Sequence, residues 1–268
     1  MKKILLGIIV ISNFSLANEI LIQKAGYSTY IQEEEFMVAE GENVIGPVFL
    51  LPIAKLSGLV VEGENLKIDS FIIEGDNKNW KDTLKGQIVS IEGEGRFIKG
   101  AVVEITDNRI MLDTRKGYVV TTLPKFPSRL SSSQNWHELF SPKITFKLSA
   151  KEAKTEKFKF IYPVLGISWQ AEYILYKTDK KETFQGYITL LNKTPLSLRN
   201  VKAKLYENKK IIKEINETTL PSFSKKKILF IKDDMKNINL SSLPSGVIAV
   251  YENGVFVGFK KLKNGSLK

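Results

Sequence analysis

The sequence contains no cysteine and a single histidine, His137. Without thiols the chain forms no disulfide bond, and it offers no thiolate to a metal ion or to a covalent intermediate. Zinc centres draw their ligands mainly from cysteine and histidine, so a zinc site is not expected either. The sequence therefore predicts no metal site and no cofactor, and it predicts a fold that the hydrophobic core must stabilise alone.

Recognisable catalytic motifs are also missing. No serine lies between the glycines of a nucleophile elbow, and residues 93–95 lack the glycine–lysine ending and the following helix of a phosphate loop. The consecutive carboxylates at 33–35 point to alternate faces of a strand, so they are not the facing pair that glycoside hydrolysis needs. His137 follows serines 131–133, but catalytic groups meet through the fold rather than by adjacency. The sequence predicts no catalytic residue and a protein that is not an enzyme.

Long apolar runs are confined to the N-terminus. Lys2 and Lys3 precede an apolar stretch at 4–11, and Ser15 and Ala17 place small residues where a signal peptidase reads the chain. A membrane-spanning helix needs about 20 apolar residues, more than this stretch supplies. We therefore expect residues 1–17 to be a signal peptide. The mature chain is expected to have no transmembrane span and to reside in the periplasm, on the cell surface or outside the cell.

Positive charge is in excess. The chain has 40 lysine and arginine residues against 29 aspartate and glutamate residues, a formal net charge of +11. Such a charge suits contact with anionic lipid or with an acidic cell-wall polymer. Alternatively, lysines on the solvent faces of strands keep sheet edges from aggregating, and the alternation of lysine with apolar residues favours this interpretation. Nucleic acid is not an expected partner of an exported protein.

Apolar and polar residues alternate with a period of two through most of the chain, which indicates β-strands. Trp169, Ala171 and Tyr173 fall on one face of such a strand and are predicted to be core residues. Asn253-Gly254 between two apolar runs predicts a β-hairpin. No long amphipathic helix is present, so the expected fold is all-β.

A run of short strands separated by glycine- or asparagine-containing turns indicates a small SH3-like or Sm-like barrel within a larger β-sandwich. Two prolines end this run, because proline is not accommodated in a central strand. The expected division is N-terminal strands at 18–75 that pack with the C-terminal half, the inserted barrel at 80–123, a linker at 124–142 and the C-terminal β-sandwich at 143–268.

Four aromatic residues lie in turn-rich or proline-rich segments that flank the predicted barrel: Trp80, Phe126, Trp136 and Phe140. If their rings are exposed, they are suited to stacking on sugar rings or to docking a peptide. They are equally suited to forming the apolar contact between two domains. The sequence leaves both interpretations open, and these residues are its only candidates for ligand binding.

One segment, YPVLGISWQAEY, places Tyr162, Gly166, Trp169 and Tyr173 in a characteristic order. It resembles the signature strand of the mucoidy-inhibitor-A-like family, which comprises exported β-sandwich proteins of unknown function. Residues 186–205 are similar to the strand pair that follows this signature in the family. The resemblance extends over nearly the whole mature chain.

The middle of the chain supports the same comparison. Segments at 85–89, 99–103 and 118–120 are similar to the small barrel of the family's shorter members. The resemblance implies a β-sandwich with no established catalytic residue to carry over. Longer members have a coiled coil where this chain has its barrel, and this chain stops soon after Phe259, earlier than is usual. The resemblance does not decide whether this earlier end leaves an edge of the sandwich open.

The function that fits these observations best is that of an exported, non-catalytic scaffold or interaction module of the cell envelope, with an envelope protein or polysaccharide as its partner. A carbohydrate-binding or cell-wall-binding module is the first alternative, because of the positive charge and the flanking aromatic residues. A hydrolase of unrecognised type is the second alternative.

Overall fold

The structure is a computed structural model, and it describes residues 18–64, 66–75, 80–133, 140–263 and 265–267. Strands account for most of these residues, and α1 (Trp80–Thr83) is an α-helix of a single turn. The alternation of apolar and polar residues thus predicted the fold class correctly: the protein is all-β and β-sandwich-like. No helix in the described ranges has the length and apolar character needed to cross a bilayer.

Strands are numbered in chain order. The first ten are β1 (Glu19–Gln23), β2 (Ser28–Val38), β3 (Gly41–Phe49), β4 (Val60–Gly63), β5 (Ile68–Glu74), β6 (Ile88–Gly93), β7 (Arg96–Ile105), β8 (Arg109–Thr114), β9 (Gly117–Thr122) and β10 (Arg129–Ser132). The others are β11 (Lys143–Ala150), β12 (Lys154–Val164), β13 (Ile167–Lys177), β14 (Glu182–Asn192), β15 (Leu198–Glu207), β16 (Lys210–Leu220), β17 (Ser224–Asp234), β18 (Gly246–Glu252), β19 (Val255–Lys263) and β20 (Ser266–Leu267). Short 3₁₀ turns lie at Leu56–Gly58, Met235–Asn237 and Leu240–Ser242.

The chain divides into two compact units that are each assembled from separate segments. The larger unit contains the described residues of Met1–Gly41, Ile53–Lys67 and Ala150–Lys268, and the smaller unit contains those of Glu42–Pro52 and Ile68–Ser149. The N-terminal strands are therefore shared: β1, β2 and β4 belong with the C-terminal half, whereas β5 and nearly all of β3 belong with the middle of the chain.

Two six-stranded sheets form the larger unit. The first sheet has the order β16-β15-β1-β2-β12-β4, and the second has the order β17-β14-β13-β18-β19-β20. In the first sheet β1 runs parallel to β15, and β2 pairs with β12 along its whole length, from Ser28 opposite Val164 to Val38 opposite Lys154. Residues from the start of the described chain and from its second half thus share one sheet.

The core of the larger unit lies between its two sheets, where β1 packs against β13. On β13 the alternate residues Trp169, Ala171 and Tyr173 are buried, as the pattern predicted. The turn that leads into this strand contains Gly166, whose φ is 91°. A Cβ atom at that position would come within 2.8 Å of Thr194 Cγ2, so both the backbone conformation and the space require glycine.

The smaller unit contains a three-stranded sheet, β3-β11-β5, and a five-stranded antiparallel sheet, β10-β6-β7-β8-β9. The five-stranded sheet contributes a cluster of buried side chains from β6, β7 and β8: Val89, Ile91, Val102, Ile110 and Leu112. Within the predicted linker, Arg129–Ser132 forms β10 and pairs with β6. Its serines are typical of a loop, but an edge strand is paired on one side only and tolerates polar residues on its free side.

The predicted hairpin at Asn253-Gly254 is confirmed, because β18 and β19 pair antiparallel across it. Asn253 and Gly254 both have positive φ, 47° and 85°, as the favoured two-residue hairpin turn requires. This turn brings two strongly apolar strands side by side at one end of the second sheet.

Glu34 of β2 lies on the same strand face as the buried residues Tyr30 and Phe36. Burial raises the pKa of its carboxyl group, and a hydrogen bond of 3.1 Å from Gln32 Nε2 lowers it by a smaller amount. The folded state therefore binds this proton more tightly than the unfolded state, and stability falls as the pH rises through the pKa of the folded state.

We expect Glu34→Gln to raise the free energy of unfolding at neutral pH, because it removes the cost of a half-buried charge. The gain should disappear towards about pH 4, where the wild-type carboxyl is also protonated. Urea unfolding at both pH values measures the difference, with the exposed neighbour Glu35→Gln as the control. A loss of stability at neutral pH in the Glu34 variant would contradict this expectation.

Candidate functional site

The outer face of the second sheet carries several exposed apolar side chains, among them Phe256 and Phe259. Because Trp169 and Tyr173 of β13 point into the core, Glu172, Ile174 and Tyr176 point outward. The strand register continues this face onto the neighbouring strands: Tyr176 lies opposite Tyr251 on β18, and Ala249 lies opposite Phe259 on β19.

Four aromatic rings follow one another across this face, and we call them the aromatic strip: Tyr176, Tyr251, Phe256 and Phe259. The rings of Tyr176 and Tyr251 are stacked with centroids 5.1 Å apart. Phe256 meets Tyr251 edge-on at 5.5 Å and meets Phe259 edge-on at 4.9 Å. Phe259 is 72% exposed, so the strip ends in a ring that is open to solvent.

Polar groups line the same shallow cavity, of about 590 Å³, as Tyr251 and Phe259. Lys227 forms an ion pair with Glu172, and Gln170 Nε2 donates a hydrogen bond of 2.5 Å to Glu172. Burial raises the pKa of Glu172, but these hydrogen bonds outweigh burial, so its pKa lies below the usual range. The cavity thus combines apolar rings with a charged, hydrogen-bonded group.

Beside the strip, β19 forms an exposed sheet edge. On the side away from β18, its only partner among the described residues is β20, which pairs with Leu262 and Lys263 and leaves Val255–Lys261 unpaired on that side. Val255 and Val257 are exposed, as are Phe256 and Phe259. An unpaired, apolar edge strand is a template for pairing with another chain.

Lys24 and Ser245 resemble a serine–lysine catalytic pair, since Lys24 Nζ lies 2.9 Å from Ser245 Oγ. Lys24 Nζ also donates to Glu207 Oε1 at 2.5 Å and to the Ser245 carbonyl oxygen at 2.6 Å. A lysine that donates three hydrogen bonds has no lone pair to accept a proton from serine. Ser245 Oγ in turn donates to Glu207. This arrangement cannot activate the serine, and we call it the lysine clamp.

The lysine clamp joins the two sheets of the larger unit. Lys24 follows β1 and Glu207 ends β15 in the first sheet, whereas Ser245 precedes β18 in the second. Lys24 Nζ lies 4.8 Å from the centroid of the Trp169 ring, and Trp169 Nε1 donates to the Tyr206 carbonyl oxygen at 3.0 Å. The residues around Trp169 therefore stabilise the sandwich.

Comparison with family models, curated proteins and solved structures returned no match. The family resemblance thus rests on the motif residues alone and stays a prediction. Within the described part of the chain, no group of three or more histidine, aspartate and glutamate side chains is placed to hold a metal ion.

The four aromatic candidates from the sequence lie in different surroundings. Trp80, in α1, packs against the core of the smaller unit, and Phe140 is half-buried. Phe126, between β9 and β10, is 98% exposed. Trp136 lies outside the described residues, as does His137. Phe126 is thus the exposed member among the described candidates, and a ligand role for the four stays a prediction.

Sequence reasoning missed the aromatic strip. The signal that was available is the run Val255-Phe256-Val257-Gly258-Phe259, in which apolar residues follow one another instead of alternating with polar ones. A strand with this pattern has apolar side chains on both faces, and in the structure Val255, Phe256, Val257 and Phe259 are all exposed.

Proposed function

We propose that the protein is an exported, non-catalytic interaction module of the cell envelope that binds a partner protein through the aromatic strip. The observation that carries this proposal is the row of four rings in contact on an outer sheet face, next to an unpaired strand edge. Monomeric proteins rarely expose contiguous apolar surface without a binding role.

The unpaired edge favours a protein as the partner. A strand of another chain that pairs with β19 gains backbone hydrogen bonds along Val255–Lys261, and its side chains then lie over Phe256 and Phe259. Aromatic side chains supply much of the binding energy at such interfaces, because they bury a large apolar area at a small entropic cost.

The architecture that we propose is a β-sandwich into which a small barrel of the SH3-like or Sm-like type is inserted, as in the family that the sequence resembles. Closure of the barrel is supported by Arg96 of β7, which donates to Thr121 Oγ1 at 2.5 Å and to Thr122 Oγ1 at 3.3 Å. Both threonines belong to β9, which is not a neighbour of β7 in the order of strands.

Phe259→Ser is expected to weaken binding of the envelope partner about 30-fold, the effect of losing about 2 kcal/mol at an aromatic hot spot. The measurement is capture of envelope proteins by the purified protein, followed by titration of the captured partner. The fold should be unaffected, because Phe259 is exposed, and circular dichroism checks this.

The matched control is Phe223→Ser, since Phe223 is a phenylalanine of the same unit with nearly equal exposure, 73% against 72%. Binding by this variant should equal that of the wild type. Equal binding by the Phe259 variant, or recovery of no partner by a diffusible monomeric wild type, would contradict the proposal.

A carbohydrate ligand is the second candidate. It is favoured by the position of Gln170, Glu172 and Lys227 beside the rings of Tyr251 and Phe259, because sugars are bound by stacking combined with hydrogen bonds to hydroxyl groups. Calorimetric titration with envelope polysaccharides tests it. Binding that Phe259→Ser abolishes, together with an empty protein capture, would favour carbohydrate over protein.

A further inference from the structure

A second exposed groove lies in the five-stranded sheet of the smaller unit, and it is built from residues unrelated to the aromatic strip. It has a volume of about 870 Å³. We call it the basic groove, and the residues that define it are Ile88, Phe97, Lys99, Arg115, Lys116 and Val119.

Two local features determine where the cationic side chains of the groove lie. Lys99 lies two residues after Phe97 on β7, so the two side chains share one strand face. Arg115 and Lys116 form the turn between β8 and β9. Thr114 Oγ1 closes this turn, since it donates to the Gly117 carbonyl oxygen at 2.7 Å and accepts from the Lys116 amide at 3.2 Å.

The charges of the groove are unbalanced. Lys99, Arg115 and Lys116 are all exposed, and Asp113 is the one carboxylate on its walls. No ion pair links any of the three cations to another residue in the part of the chain that the structure describes. Cations held together without counter-charges attract an anionic ligand, and the arginine fork matches a carboxylate in shape.

The floor of the groove restricts the ligand further. Phe97 is 65% exposed and Ile88 is 57% exposed, so apolar surface lies between the cations. A ligand that fits both features carries anionic groups on rings with an apolar face, and a sugar acid is such a unit. Single-stranded nucleic acid stacks successive bases on several aromatic rings, whereas Phe97 is the one aromatic residue of this groove. We propose that the basic groove binds an acidic polysaccharide that bears carboxylate groups.

Calorimetric titration of the purified protein with polygalacturonate, and with neutral dextran of matched length, tests the proposal. We expect binding of polygalacturonate that weakens as sodium chloride is added, and no binding of dextran. Lys99→Gln combined with Arg115→Gln should lower the affinity about tenfold, because two charge-assisted contacts are lost. Phe97→Ser should lower it as well, without a change in the salt dependence.

Matched variants test whether binding depends on the groove residues themselves or only on net charge and on exposed aromatic rings in general. Lys125→Gln combined with Arg109→Gln makes the same change in net charge at exposed residues that do not line the groove. Tyr118→Ser removes a ring that is 73% exposed on β9. Both should leave the affinity within about twofold of the wild type.

Three results would overturn the proposal. The first is a wild-type protein that does not bind polygalacturonate. The second is an equal loss of affinity in the matched variants, since binding would then depend only on net charge. The third is tighter binding of single-stranded oligothymidylate than of polygalacturonate, which would assign the groove to nucleic acid.

Discussion

Replacing Trp169 with alanine is expected to lower the free energy of unfolding by about 3–5 kcal/mol. The Trp169 side chain is fully buried, and it is the largest of the fully buried side chains in the described ranges. Its removal leaves a cavity between the two sheets of the larger unit and deletes the hydrogen bond to the Tyr206 carbonyl oxygen. Lys24, whose ammonium group lies over the ring, loses that contact as well.

This loss is severe because the chain has no disulfide bond to limit its unfolded state. Single domains are stable by about 5–15 kcal/mol, so the substitution removes a large share of the total. Guanidinium unfolding followed by far-ultraviolet circular dichroism measures the change. Tyr176→Ala is the control, because Tyr176 lies on the outer face of the same strand and should cost less than about 1.5 kcal/mol. A similarly small loss for Trp169→Ala would contradict the role of this residue.

Asn192→Asp is expected to destabilise the protein by about 3–5 kcal/mol at neutral pH. Asn192 is buried at the end of β14, and its Nδ2 donates to the carbonyl oxygens of Leu196, Leu220 and Pro221 at 2.7, 3.1 and 2.9 Å. Its Oδ1 accepts from the amide and the hydroxyl of Thr194. An aspartate of the same shape has no donor for the three carbonyl groups.

The charge makes the Asn192→Asp effect dependent on pH. Burial against carbonyl oxygens raises the pKa of the introduced carboxyl above its unfolded value of about 3.9. The folded variant therefore binds a proton more tightly than the unfolded variant, and its stability recovers as the pH falls. Urea unfolding at neutral pH and at about pH 4 tests this, with Asn253→Asp at the exposed hairpin turn as the control. A loss that is equal at both pH values would exclude buried charge as its cause.

Local signals account for what sequence reasoning predicted correctly. Alternation along β13 placed Trp169 and Tyr173 in the core, because side chains on a strand point to opposite faces in turn. The hairpin between β18 and β19 followed from Asn253-Gly254, since few residues adopt the positive φ values that this turn needs. These signals need no knowledge of distant partners.

The sequence contained no such local signal for the lysine clamp. Lys24, Glu207 and Ser245 are far apart in sequence, and they meet because β1 runs parallel to β15 and β13 runs parallel to β18. Neighbouring parallel strands are joined by long connections, so no turn sequence indicates how the two strands are aligned. The half-burial of Glu34 likewise depends on which residues pack over that face of β2, and the run of three glutamates does not indicate it.

The amino-acid sequence alone determined that this is a β protein without thiol chemistry, with a core around Trp169 and with a hairpin at its C-terminal end, because each of these depends on residue type or on a period of two. Only the tertiary structure decided which strands become neighbours, which face of the second sheet stays uncovered and which cations share a groove. Those properties depend on long-range pairing, in which strands of similar composition compete for the same positions, and the burial of the whole core selects among them.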